Sequence, residues 1–129
     1  MKSGAKVAAV VGVGSGLGRA LGVRFALGGF SVALVARHEE SLKPVQTEVE
    51  GLGSSARSYV GDVSDEASIR AVFARVREEM GDPEVLLYNA GAFQAGGVLE
   101  LSATAFEQAW RVNCLGGLLA AQAVLPAML

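Results

Sequence analysis

Val11-Gly12-Val13-Gly14-Ser15-Gly16-Leu17-Gly18 is the stretch on which the reading of this chain turns. Four glycines in seven residues let the backbone bend sharply and approach another group without a Cβ in the way. The strict G-x-G-x-x-G spacing fails in every register, because Leu17, Arg19 or Leu21 falls at the third glycine. The spacing G-x-x-x-G-x-G fits, through Gly12, Gly16 and Gly18. With 17 glycines in the chain, a plain flexible turn is the competing reading. What lies on either side decides between them. Before the turn, residues 6–11 form a continuous Val/Ala run, the pattern of a strand buried on both faces. After it, residues 16–27 carry Leu17, Leu21 and Phe25 four apart, which predicts a helix packed on that face. A glycine turn between a buried strand and the start of a helix is a phosphate site, since the free N–H groups and the helix dipole both favour negative charge.

Working outward, strand and helix alternate to the end of the chain. Gly28-Gly29 closes the first helix, and residues 30–36 form a second buried strand. A helix over 39–51 shows Leu42, Val45 and Val49 on one face, with Pro44 expected in its first turn, where a missing N–H is harmless. Residues 56–60 make a third strand. Ser64 is expected to cap the next helix, with Asp65 and Glu66 at its positive end, followed by the stripe Ile69, Val72, Phe73, Val76 and Met80. Gly81-Asp82-Pro83 breaks that helix before a fourth strand over 84–88, and a long apolar helix is expected over about 102–125. Alternation of this kind implies right-handed crossovers and parallel pairing. The expected fold is α/β, a Rossmann-type doubly wound parallel sheet of about four strands in the order 3-2-1-4. It forms a single, partial domain over 1–129.

Composition excludes several classes of function. The net charge of −2, with Lys and Arg dispersed, offers no basic patch for nucleic acid or an anionic membrane. One cysteine, Cys114, allows no intrachain disulfide, and no His/Cys cluster suggests a metal site; Cys114 is expected as a small core filler. The basic N-terminus and the apolar run after it imitate a secretory signal, but the run leads into glycines and Arg19 without a cleavage pattern. The uncharged stretch 112–129 falls short of the ~20 apolar residues of a spanning helix. A soluble, cytoplasmic protein with no membrane and no nucleic-acid partner is expected.

Three further elements fall at strand ends. Arg37 and His38 follow the second strand, where an acidic residue would bind an adenosine ribose and mark NAD, and an arginine accommodates the 2′-phosphate of NADP. Arg37 is thus a phosphate clamp or an ordinary solvated arginine, and His38 a second donor or a plain loop histidine. Asp62 and Val63 follow the third strand, where an aspartate before a helix ordinarily serves as its cap. Asn89-Ala90-Gly91 follows the fourth; Gly91 permits close approach of the backbone, and Asn89 can bond loop backbone.

Taken in order, these elements resemble the short-chain dehydrogenase/reductase family, whose turn reads T-G-x-x-x-G-x-G. Val11 stands where that family usually has threonine. The resemblance implies that Gly12, Gly14, Ser15, Gly16, Leu17 and Gly18 hold the pyrophosphate of NADP, or less readily NAD. It implies that Arg37, His38, Asp62, Val63, Asn89, Ala90 and Gly91 complete the cofactor site. It makes Asn113, in Val112-Asn113, the active-site asparagine that shapes its helix and holds a water in a proton relay; without the resemblance it would be a polar residue bonding its own helix. The family passes hydride between nicotinamide and a carbonyl or alcohol carbon, using a tyrosine, a lysine four residues on and a serine. No Tyr-x-x-x-Lys occurs here: Val63 follows Tyr59 at that spacing and Ala92 follows Tyr88. The expectation is the cofactor-binding half of an NADP(H)-dependent oxidoreductase, inactive alone, taking a small carbonyl or alcohol substrate in the intact enzyme and forming a homo-oligomer through the last helix. A non-catalytic nucleotide-binding or partner-binding module is the alternative, with a bare fourth strand as its sticky edge. Another Rossmann enzyme, such as a methyltransferase, fits Arg37 and Asn89-Ala90-Gly91 poorly.

Overall fold

The computed structural model describes residues 4–129; Met1, Lys2 and Ser3, the basic end of the signal-like stretch, lie outside the described residues. Four strands, β1 (Val7–Val11), β2 (Ser31–Ala36), β3 (Ala56–Val60) and β4 (Pro83–Tyr88), pair in parallel in the order β3-β2-β1-β4. The expected sheet is therefore the observed one. All five residues of β1 are buried because helices cover both faces of the sheet, which explains its unbroken apolar composition.

Helices α1 (Leu17–Leu27) and α2 (Glu39–Gly51) pack on one face over Val10, Val32 and Leu34. On the other, α3 (Glu66–Glu79) and α5 (Gly116–Met128) cover Val11, Val35 and Tyr59. The α3 stripe Ile69, Val72, Phe73, Val76 and Met80 is buried as its spacing requires.

Four local expectations change. The fully buried line of α1 is Gly18, Gly22 and Ala26; Leu21 packs half-buried against the same core, while Leu17 is 64% exposed. Small residues win because this helix lies close to the sheet: a Cβ on Gly22 would sit 3.2 Å from Leu34 Cδ2. Phe25 instead meets Phe30 edge-on, with ring centroids 5.3 Å apart. Pro44 lies inside α2 rather than in its first turn, on an exposed face where the carbonyl left without its N–H partner can reach water. The cap of α3 is Asp65, whose carboxylate accepts from Ala67 N at 3.1 Å and Ser68 N at 3.5 Å. Ser64 serves Asp62 instead.

The fourth change concerns the last helix. Its cap, Ser102, accepts from Ala105 N at 3.1 Å, and helical backbone runs from α4 (Ala103–Trp110) through α5. Between them, however, Arg111–Leu115 forms a π turn, marked by Gly116 N–H donating to the Arg111 carbonyl. Asn113 sits in the middle of that turn. No helix among the described residues is long and apolar enough to cross a membrane.

Candidate functional site

A cleft of about 480 Å³ opens at the C-terminal ends of β1, β2 and β4, above the N-terminus of α1. This is the switch point of the sheet, where successive crossovers leave in opposite directions from β1 and ligands of such folds bind.

The glycine turn divides into packed and open positions. Gly12 has φ +100°, and a Cβ on it would fall 2.6 Å from Ala90 Cα; one on Gly18 would fall 2.8 Å from Val13 Cα. Gly12 lets the turn close on the backbone after β4, and Gly18 lets α1 close on the turn itself. Gly14 and Gly16 differ: a Cβ there would meet no protein atom within 4 Å, so what they keep clear is the cleft itself. Gly16 caps α1 without a side chain, and the first turn carries no acidic residue. The first N–H groups of α1 are thereby left to an anion from outside.

Val11 offers no hydroxyl to brace this turn, and other groups do the bracing. Gly12 N and Val13 N donate to the Val35 carbonyl at 2.9 and 3.1 Å. From β4, Asn89 N donates to Val11 O at 2.7 Å and Asn89 Nδ2 to Gly12 O at 2.8 Å. Asn89 thus bonds loop backbone, as its position in the sequence suggested.

Arg37 and His38, both exposed, line the cleft where β2 ends. Arg19, nearer the glycine turn in sequence, is held by Glu48 through bonds of 2.7 and 2.6 Å. Arg37 is in no ion pair among the described residues, which leaves it as the cation available to a ligand. Its charge nevertheless reaches Asp62. That carboxyl is held below its ordinary range, first by the Ser64 hydroxyl at 2.7 Å, and further by Ser64 N at 2.9 Å and by Arg37.

The structure brings Gly12, Gly14, Gly16, Leu17, Gly18, Arg37, His38, Val63, Asn89, Ala90 and Gly91 together on the cleft wall. Ser15, Asp62 and Asn113 stand outside that lining. Ser41, Gln94 and Gln108 line it as well, and sequence reasoning missed all three. Only Ser41 left a signal, as a hydroxyl one turn past Arg37 at the start of α2.

Asn113 faces the loop after β4. Its Nδ2 donates to the Ala92 carbonyl at 2.8 Å and its Oδ1 accepts from Ala92 N at 2.9 Å. This two-way bond to backbone 21 residues away replaces the bond to its own helix that an isolated polar residue would make. Beside it, Cys114 is exposed, correcting the expectation of a core filler: the π turn directs it outward. No group of metal-binding side chains occurs among the described residues.

The family model for short chain dehydrogenases matches residues 6–129. The chain is 37% identical over 114 residues to the probable oxidoreductase EphD of Mycobacterium tuberculosis, covering 88% of this chain and 19% of that protein. It is 32% identical over 111 residues to the 2,3-dihydro-2,3-dihydroxybenzoate dehydrogenase of Bacillus subtilis, covering 86% of this chain and 42% of that one. A metagenomic short-chain oxidoreductase solved in complex with NADP superposes with a TM-score of 0.91 at 31% identity, over 95% of this chain and 56% of its own. The chain spans less than half the length of these curated relatives. A sheet ordered β3-β2-β1-β4, a glycine turn at its switch point and a family match from residue 6 onward give one conclusion: the chain belongs to the short-chain dehydrogenase/reductase family.

Proposed function

We propose that this chain is the cofactor-binding part of an NADP(H)-dependent oxidoreductase acting on a small carbonyl or alcohol substrate. One observation carries the choice of cofactor: Arg37 stands on the cleft wall at the end of β2, without an ion-pair partner among the described residues. At that position an arginine fork matches a 2′-phosphate, whereas NAD calls for a carboxylate there. The solved relative that holds NADP supports the reading.

In this reading the uncapped first turn of α1 and the cleared positions Gly14 and Gly16 take the pyrophosphate. Val63, with Asp62 behind it, borders the adenine, and Asn89, Ala90 and Gly91 form the wall on the nicotinamide side. When bound, the cofactor supplies a hydride acceptor or donor for the substrate carbon. Asn113 holds the Ala92 backbone in the form the substrate end requires. The sequence contains no Tyr-x-x-x-Lys pair to move the substrate proton, so this chain binds cofactor without turning over. We place the protein in the cytoplasm, where a lone exposed cysteine stays reduced.

Trp110, the single tryptophan, reports on the test because α4 flanks the cleft through Gln108. Titration with NADPH and NADH, followed by energy transfer from Trp110, should show tighter binding of NADPH. Arg37→Asp should weaken NADPH by ~10- to 100-fold, the worth of one charge-assisted contact, and favour NADH. An unchanged NADPH/NADH ratio removes Arg37 from this role. Failure to bind either dinucleotide favours the second reading, a non-catalytic module for a protein partner, for which the edge of β4, unpaired among the described residues, speaks.

A further inference from the structure

Tyr88 is the last residue of β4, opposite Val11 in the register with β1. Its hydroxyl donates to the carbonyl of Val112, inside the π turn. The hydroxyl fits a notch that glycine at position 116 leaves open. A Cβ on Gly116 would collide with the Tyr88 hydroxyl, and one on Gly117 would lie 3.6 Å from the ring.

Two short segments are therefore joined at two points. Tyr88 reaches from the end of β4 to Val112, and Asn113, the next residue, reaches back to Ala92, four residues after Tyr88. The circuit closes around the segment that includes Asn89, Ala90 and Gly91. Ala92 and Val112 both line the cleft, so the circuit fixes the spacing between two of its walls.

We propose that Tyr88 is a positioning residue for Asn113: its hydroxyl anchors the π turn through Val112 and so sets where the Asn113 amide meets the Ala92 backbone. A plain α-helical continuation would carry Asn113 at a different height and angle relative to the loop, since each π turn inserts a residue into the helical ladder. Half-burial pushes the Tyr88 hydroxyl up to about 12, which keeps it protonated, and hence a donor, throughout the neutral range. The proposal rests on reading Asn113 as the active-site asparagine, but its test needs no cofactor.

Tyr88→Phe removes the hydroxyl that meets Gly116 and keeps the ring that packs on Gly117. Amide hydrogen exchange of the 129-residue chain, read by NMR, should show Ala92 N–H and the Asn113 side-chain amide losing protection ~10-fold or more, the effect of losing one part-buried hydrogen bond. The α3 amides of Val72, Phe73 and Val76 should keep theirs. Tyr59→Phe, which removes a hydroxyl bonded to Glu79 at 2.9 Å, should leave Ala92 and Asn113 untouched. Unchanged exchange at Ala92 and Asn113 in Tyr88→Phe overturns the proposal. Equal loss across α3 also overturns it, because Tyr88 would then support the fold in general. NADPH titration of the unaltered chain tests the functional reading separately, so the two can fail independently.

Discussion

At the scale of single residues, the glycine turn separates what folding requires from what a ligand requires. Gly12 and Gly18 are glycine because a Cβ would strike Ala90 and Val13; Gly14 is glycine although its Cβ would meet nothing. Gly18→Ala should therefore lower the thermal midpoint, with a loss of ~1–3 kcal/mol typical of overpacking. Gly14→Ala should change stability by no more than about 0.5 kcal/mol, as surface substitutions do, and so leave the midpoint close to the original. Its effect should appear instead in NADPH titration, as a loss of ~10-fold or more from a methyl group facing the bound pyrophosphate. A Gly14→Ala chain that binds NADPH unchanged would place the pyrophosphate elsewhere. These glycines were legible because the absence of a side chain in a fixed spacing is itself a signal. Gln94 and Gln108 were not legible, since a single amide on a loop or helix acquires meaning only when the fold turns it toward a cleft.

At the scale of elements, the reading succeeded where burial is uniform and faltered where one neighbour decides. The all-apolar β1, the apolar run 32–36 of β2 and the stripes of α2 and α3 were plain from the sequence pattern, because a whole face must meet the sheet. The contact face of α1 was misread because proximity to the sheet, which sequence does not display, favours Gly18, Gly22 and Ala26 over larger side chains. The π turn left no periodic trace either; it depends on Tyr88 arriving from β4. The start of α3 shows the same limit, with Ser64 and Asp65 both able to cap and only the backbone choosing between them. Asp65→Ala should cost α3 about 1 kcal/mol, seen as a lower midpoint in thermal melts. Ser64→Ala should cost less, yet raise the Asp62 pKa in an NMR titration, because the hydroxyl holding that carboxylate charged is gone. Stability contributed by this depressed carboxyl is present above its unfolded-state pKa and lost as pH falls through the folded value, so Ser64→Ala should weaken the chain chiefly on the neutral side of that window. Equal losses from both substitutions would mean that Ser64 shares the cap.

At the scale of the whole molecule, the two sides of the sheet end differently. On the β3 side, charged side chains such as Arg57 and Glu79 pair on the surface, at 3.6 Å. On the β4 side, no strand pairs with the outer edge of β4 among the described residues. The loop beyond it exposes Phe93, Val98 and Leu99 at 89%, 94% and 94%, and α4 and α5 expose Phe106, Trp110, Leu118 and Leu125. Apolar area left in water forgoes about 25 cal/mol for each Å² that contact would cover, and an open strand edge offers unpaired backbone groups to any similar edge. A net charge of only −2 gives little repulsion to oppose association. We therefore expect the 129-residue chain to associate with copies of itself through α4, α5 and the β4 edge, and sedimentation at micromolar concentration should show dimers or larger species. Phe93→Ser combined with Leu118→Gln, both at exposed positions, should shift the distribution toward monomer without lowering the thermal midpoint. A monodisperse, cooperatively melting monomer before any substitution would show that this apolar face is tolerated in water, and the oligomer reading would fall with it.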